Sequence, residues 1–323
     1  MTDVSEASLP RRLDERGYLV VEDVLDPERD LRPLLAEYAA VLDRVAGELH
    51  AQGRVASTYE ELPFGRRLIR LTRESGHSLS QHFDVSLPQT GIRSDTPIHT
   101  GAACFRLLTN RRLLDLAERF VGPDVCLSPV GHVRIKLPED TLAEGTDGLM
   151  AKIPWHQDNG VVLQEADDSE VLTVWLPINE ATIENGCLQV LPTPRSQALI
   201  EHCPTGKGGT HIPDPLIDET RAVALPMRPG SVLLLHPRTV HSSLENTSAD
   251  QVRISMDLRY QPVGQPTGRP MFPEFVVRSR SHPDQVVGDP ATWSRRWLEA
   301  RARLAEDRPS SFNRWDPNSP LCA

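Results

Sequence analysis

Leu172-Thr-Val-Trp-Leu-Pro-Ile178 is a short, apolar, β-prone run, and it does not stand alone. Gly131 to Leu137, Cys187 to Leu191, Ser231 to Leu235 and Arg253 to Tyr260 have the same character, with Pro, Gly and Asn between them. Many short strands punctuated by turn residues predict an all-β sandwich or barrel from about Val125 onward. Before Val125 the periodicity is helical. Asp26-Pro27 is an N-cap followed by proline at the first helical position, and Leu31, Leu34, Leu35, Tyr38, Val41, Leu42, Val45 and Leu49 recur three and four apart. This predicts one amphipathic helix ending near Gly53. Asn110 to Val121, stopped by Gly122, reads as a second helix, and Gly17 to Val21 as a short β-prone segment. A last helix is expected from Ala291 to about Ala305, followed by a loose Pro/Ser/Asn tail.

No internal repeat divides the 323 residues. The expectation is one domain: a mainly helical part over 1–124, a β core over 125–262 and an extension with a helix over 263–323. With 39% hydrophobic and 25% charged residues, the chain has the composition of a soluble globular protein. A net charge of −10 argues against a nucleic-acid partner, which calls for a basic face. No apolar run approaches the length of a membrane span, and the polar Met1 to Pro10 stretch lacks the regions of a signal peptide. Cys104, Cys126, Cys187, Cys203 and Cys322 are odd in number and widely spaced, so neither a disulfide framework nor a zinc site is expected. A cytoplasmic location follows as the simplest expectation.

Chemistry is concentrated in Trp155-His156-Gln157-Asp158. In an extended segment, side chains two apart share a side, so His156 and Asp158 face one ion together. A distant histidine then completes the 2-His-1-carboxylate set of non-haem Fe(II) centres, which leaves positions open for a cosubstrate and O₂. His282-Pro283-Asp284 has the same spacing, but its proline disfavours a central strand and no histidine follows it, so it is read as a surface turn. His236-Pro-Arg-Thr-Val-His241 supplies the distal histidine, and Arg253 follows His241 by twelve residues. An arginine fork suits a carboxylate. Read alone, Trp175 also fits core filling and Arg253 a surface ion pair. His132, Arg134 and Lys136 alternate on one β-like run, as a basic inner wall for anionic ligands or as a solvated outer face. Ser242 and Ser243 lack the G-x-S-x-G elbow of a nucleophile. Asn246-Thr-Ser248 is a sequon without a secretion signal. Thr205 to Asp218, rich in Gly and Pro, reads as a surface loop and candidate active-site lid, with Lys207 facing solvent.

In order, W-H-Q-D, V-W-L-P-I, N-G-C-L-Q-V-L-P, H-P-x-x-x-H-S-S and the R-x-S of Arg253 to Ser255 make the stretch from about Val130 to Tyr260 resemble the phytanoyl-CoA dioxygenase family. The resemblance implies a double-stranded β-helix, a cupin-like jelly roll, with flanking helices. It implies iron on His156, Asp158 and His241, and the distal carboxylate of 2-oxoglutarate on Arg253, with Ser243 and Trp175 beside it and His132 near the cosubstrate pocket. Should Arg253 not hold that carboxylate, Arg259 is the first candidate to replace it. The implied reaction uses Fe(II), 2-oxoglutarate and O₂ and releases succinate and CO₂ while a C–H bond of a small-molecule substrate is oxidised. Asp158 favours hydroxylation, since halogenating relatives lack that carboxylate; desaturation, cyclisation and epimerisation stay open, as do substrate and oligomeric state. A metal-dependent hydrolase or isomerase on a cupin-like barrel, and an inactive ligand-binding relative, are the competing readings. In the family pattern the second of the two histidines is the ligand. His241→Ala should therefore lose tight Fe(II) binding while His236→Ala keeps the metal. Metal content of the two purified variants after dialysis decides this, and loss of iron from the His236 variant alone would reverse the assignment.

Overall fold

The computed structural model describes residues 9–142, 151–205, 209–307 and 313–322. Its helices are α1 (Leu9–Arg16), α2 (Arg32–Ala51), α3 (Phe64–Ser75), α4 (Ala102–Leu108), α5 (Arg111–Val121) and α6 (Pro290–Glu306). The strands are β1 (Tyr18–Val21), β2 (Val125–Leu127), β3 (His132–Lys136), β4 (Leu172–Pro177), β5 (Leu188–Val190), β6 (Cys203–Pro204), β7 (Thr210–His211), β8 (Val223–Leu225), β9 (Val232–Leu235), β10 (His241–Ser243), β11 (Arg253–Pro262) and β12 (Phe275–Arg278). The cap expected from sequence at Asp26 is in place. The Asp26 carboxylate accepts from the backbone N–H of Glu28 and Arg29, although Pro27–Leu31 forms a wider π turn before α2 begins. Asn110 caps α5, which stops at Gly122, and Asp289 caps α6.

Seven strands form the larger antiparallel sheet, in the order β1-β9-β4-β11-β2-β12, with β3 also paired to β11. A smaller sheet has the order β10-β5-β8. This is the jelly roll, mainly β with flanking helices. Strand alternation sorts its side chains. Val174, Leu176, Val232, Leu234, Ile254, Met256 and Leu258 join one cluster with α2, α4, α5 and α6, whereas Trp175, Leu233 and Leu235 join Leu188, Val190 and Leu225 of the smaller sheet. The space between the sheets is thus left for the inward residues of β3, β4 and β11. On the helical side one apolar cluster runs continuously from Leu13 to Leu304.

Three expectations need correction. Thr205 to Asp218, a surface loop over most of its described residues, buries more than expected: β6 and β7 pair, and Ile212 is buried against Trp155, its N–H donating to the Trp155 carbonyl at 2.7 Å. Lys207 lies outside the described residues. The tail is not loose, because Arg314, Trp315 and Ser319 all bond to the body. A disulfide does form, between Cys203 and Cys322. These residues are 119 apart in sequence, so only the path of the chain brings them together. His282-Pro283-Asp284 is the exposed turn expected of it. No helix among the described residues is long and apolar enough to cross a membrane.

Gly17, at the entry to β1, has φ +76°, and a Cβ there would sit 2.2 Å from the Thr193 carbonyl oxygen. Gly53 has φ +67° with nothing within 4 Å of a Cβ. Gly53→Ala should cost about 1 kcal/mol, the left-handed penalty alone. Gly17→Ala should exceed about 2 kcal/mol, because backbone must also move. Urea unfolding of both variants measures this, and equal losses would contradict it.

Candidate metal centre

β10 carries His241 into the space between the sheets. The segment before Asp158 meets it edge on: the His156 N–H donates to the His241 carbonyl and the His241 N–H to the His156 carbonyl, each at 3.0 Å. Asp158 opens a single 3₁₀ turn, Asp158–Val161. The ligand atoms of His156, Asp158 and His241 lie within 4.8 Å of one another, all three residues buried. His236 is not among them; its backbone N–H donates to the Gly17 carbonyl instead.

Both rings are oriented for metal. His156 Nδ1 lies 2.9 Å from the Pro154 carbonyl oxygen and His241 Nδ1 2.9 Å from that of Thr239. Carbonyls only accept, so each Nδ1 carries the proton and each Nε2 keeps its lone pair for an ion. Burial, then the nearby His241, push the His156 pKa down to about 3, which keeps the imidazole neutral. For Asp158, burial alone would raise the pKa; Arg259, both histidines and Thr173 outweigh it and hold the carboxyl well below the usual range. Arg259 Nη2 donates to one carboxylate oxygen of Asp158 and Thr173 Oγ1 to the other. Arg259 and Thr173 face each other across the β11–β4 register. Arg259 is therefore the partner of Asp158 rather than a substitute for Arg253. Alternation along β11 was a signal for it, since it lies on the same face as Arg253.

Arg253 is fully buried and donates from Nη1 to Ser255 Oγ at 3.1 Å. Its Nε and Nη2, and the indole Nε1 of Trp175, have no partner. The guanidinium lies over the Trp175 ring, 5.6 Å from its centroid. Orphaned buried N–H groups are costly, and a carboxylate would satisfy these donors together. That fits the dicarboxylate implied for the pocket. Sequence reading left Lys136 with two possible faces; the structure puts it inside, opposite Arg253 in register, its Nζ donating to Ser243 Oγ at 2.8 Å. Ser243 Oγ also accepts the Ile153 N–H. His132 shares the β3 face but lies at its other end, opposite Asp257, with Nδ1 2.8 Å from Asp84. It lines a cavity of about 420 Å³ together with Arg134, His156, Val161, Arg259 and Phe272. Asp84 had no signal in the sequence. The sequon at Asn246 is no acceptor: its side chain is fully buried and bonded to Lys136 and Gln251 carbonyls.

A jelly roll holding two imidazoles and one carboxylate inside it has the ligand set that a mononuclear non-haem metal centre requires. The chain belongs to the phytanoyl-CoA dioxygenase family, whose model, described as Phytanoyl-CoA dioxygenase (PhyH), matches residues 13–255. It is 28% identical over 124 residues to a phytanoyl-CoA dioxygenase of Arabidopsis thaliana, covering 38% of this chain but only 43% of that protein. It is 28% identical over 202 residues to L-proline trans-4-hydroxylase of Streptomyces griseoviridis, covering 56% and 70% of the two chains. Among solved structures, EvdO2 of Micromonospora carbonacea var. aurantiaca complexed with 2-oxoglutarate shares the fold, with a TM-score of 0.51 and 21% identity over 84% of this chain and 96% of that one.

Burial, then Arg253, push the Lys136 pKa down to about 6, against about 10.4 for a free lysine. Between these values the unfolded chain binds a proton that the folded protein does not, so the Lys136 contribution to stability improves as pH rises. The dicarboxylate-free protein should gain stability from pH 6 to 8 relative to Lys136→Met, by up to about 1.4 kcal/mol per pH unit. Unfolding curves of both proteins across that range test it; parallel pH profiles would show that Lys136 does not titrate there.

Proposed function

We propose that the protein is an Fe(II)- and 2-oxoglutarate-dependent dioxygenase that hydroxylates a C–H bond of a small-molecule substrate. The observation that carries this reading is the buried Arg253, with two unpaired N–H groups and the unpaired Trp175 indole N–H beside it, set behind a His-Asp-His cluster. A zinc hydrolase or isomerase has no need of such a carboxylate cradle. Membership of the family supports the same choice.

Iron bound by the three ligands would supply the O₂ chemistry, with 2-oxoglutarate leaving as succinate and CO₂. The chain's own residues do the rest. His156 and His241 present neutral Nε2 atoms because their Nδ1 protons are committed to carbonyls. Asp158 stays ionised and is kept from rotating by Arg259 and Thr173. Arg253 and Trp175 take the distal carboxylate, which fixes the depth at which the keto acid reaches the metal. Lys136 adds a second donor beside Ser243. The cavity of about 420 Å³ opens on His156 and takes the substrate, with an apolar side at Leu87, Val130, Val161 and Phe272 and a polar side at His132 and Arg134.

Anaerobic titration of the Fe(II) protein with 2-oxoglutarate, followed by visible charge-transfer absorption, tests the reading. Arg253→Ala should raise the cosubstrate Kd by roughly 30-fold or more, equivalent to losing about 2 kcal/mol or more of a buried charge pair, and leave Fe(II) binding in place. Asp158→Ala should abolish 2-oxoglutarate-dependent O₂ uptake and succinate release. No binding of 2-oxoglutarate to the wild type, or full turnover by the Asp158 variant, would reject it.

A further inference from the structure

The segment Asn313 to Cys322 lies beyond the residues matched by the family model, 13–255. Even so, it packs against the segment from His156 through the turn that opens at Asp158, which carries two of the three proposed ligands. Trp315 Nε1 donates to the Gly160 carbonyl at 2.6 Å, and its ring stacks on His202, with centroids 5.2 Å apart and planes at 22°. His202 in turn grips the turn itself. Its Nδ1 donates to the Ile200 carbonyl at 2.8 Å, so Nε2 accepts, and Nε2 receives the N–H of Gln157 at 3.0 Å. Gln157 is the residue between His156 and Asp158. Burial pushes the His202 pKa down to about 4, which keeps that lone pair free at pH 7.

The fit is close: a Cβ on Gly160 would lie 2.2 Å from His202 Nε2. The Gln157 side chain clasps the same strip, donating to the Ala198 and Arg238 carbonyls and accepting from the Ile200 N–H. The tail is tied at both ends. Arg314 holds the Asp167 carboxylate through two hydrogen bonds, at 2.5 and 2.7 Å, and Cys322 is bonded to Cys203, the residue after His202. Ser319 donates to Glu201 between those ties, and Asn313 reaches the wall of the large cavity.

We propose that the C-terminal tail is a clamp on the metal-binding turn, with His202 and Trp315 as positioning residues for His156 and Asp158, and that the Cys203–Cys322 disulfide sets its grip. The proposal rests on the metal-centre reading. Reduction by a dithiol releases the clamp. Its thiolate attacks Cys322, the half-exposed partner, forming a mixed disulfide as Cys203 leaves and takes a proton. The second thiol of the reductant then displaces the Cys322 thiol, so two electrons and two protons pass to the protein and the dithiol ends as a cyclic disulfide. In a reducing cytoplasm the thiol form would prevail.

The test uses the full chain without iron, oxidised or treated with dithiothreitol, beside Cys322→Ser and Trp315→Ala. Fe(II) affinity comes from anaerobic equilibrium dialysis, and hydrogen exchange of peptides covering 155–161 is read on the metal-free protein. Trp315→Ala should weaken Fe(II) binding by about tenfold or more, the usual effect of losing an outer partner of a metal site. It should also speed exchange at 155–161 while leaving the thermal midpoint of the β core cooperative. Trp315→Phe, which keeps the stack but not the N–H, should fall between. Reduction and Cys322→Ser should both shift affinity and exchange in the same direction, and Cys322→Ser should no longer respond to dithiothreitol. Unchanged affinity and exchange in Trp315→Ala would overturn the clamp, and an unchanged response to reduction would overturn the role of the disulfide. Failure of the oxidised wild type to bind Fe(II) at all would instead strike the metal-centre reading.

Discussion

Two backbone hydrogen bonds, exchanged between His156 and His241 at 3.0 Å each, hold the candidate metal centre together. They join segments far apart in the chain as a single antiparallel bridge. Once those backbones are paired, the two rings project side by side with centroids 4.2 Å apart, and the 3₁₀ turn that follows brings the Asp158 carboxylate beside them. Without the bridge the three ligands have no common origin. What surrounds it serves to keep it in place: the Ile153 N–H on Ser243, His202 on the Gln157 N–H, and the Pro237 carbonyl on the Asn159 N–H.

The second constraint is charge. β11 presents Arg253, Ser255, Asp257 and Arg259 inward while Ile254, Met256 and Leu258 pack among the helices. Buried ions are costly unless paired, and here they form a chain: Arg134 on Asp257, Asp257 on Arg259, Arg259 on Asp158. Burial would raise the Asp257 pKa, but Arg134 and Arg259 overcome this and hold it at about 2. Such a chain contributes geometry more than stability. Its members cannot move independently, so Asp158 inherits the rigidity of a central strand. Arg253 stands at the end of the same strand with no carboxylate of its own, and burial followed by Arg134 lowers its pKa to about 10. An anion supplied from outside would complete the pattern.

Much of this was legible because the governing rules are local. Short apolar, β-prone runs set off by turn residues located β3, β4, β9 and β11 to within two residues, apolar periodicity located the body of α2, and the spans read for α5 and α6 hold to within about a residue. The histidine–carboxylate pair could be read because two residues in an extended segment share a side, whereas the choice of His241 over His236 came from the family resemblance, in which the second histidine precedes the arginine by about a dozen residues. The jelly roll and the family were likewise readable from motifs in order. β8 and β12 were not foreseen: each has only three or four residues, and their register depends on partners.

By itself, then, the sequence determined which side chains point the same way along each strand and which of them have the chemistry to ligate a metal or pair with an anion. Tertiary structure alone decided which of these meet. Lys136 had two equally good faces until β11 set Arg253 opposite it. Asp84 reached His132 across 48 residues through a loop with no periodic signal. Cys203 and Cys322 look unrelated in a chain with an odd number of widely spaced cysteines. They pair because the tail turns back over the jelly roll and packs Trp315 against His202, a contact that no local rule encodes.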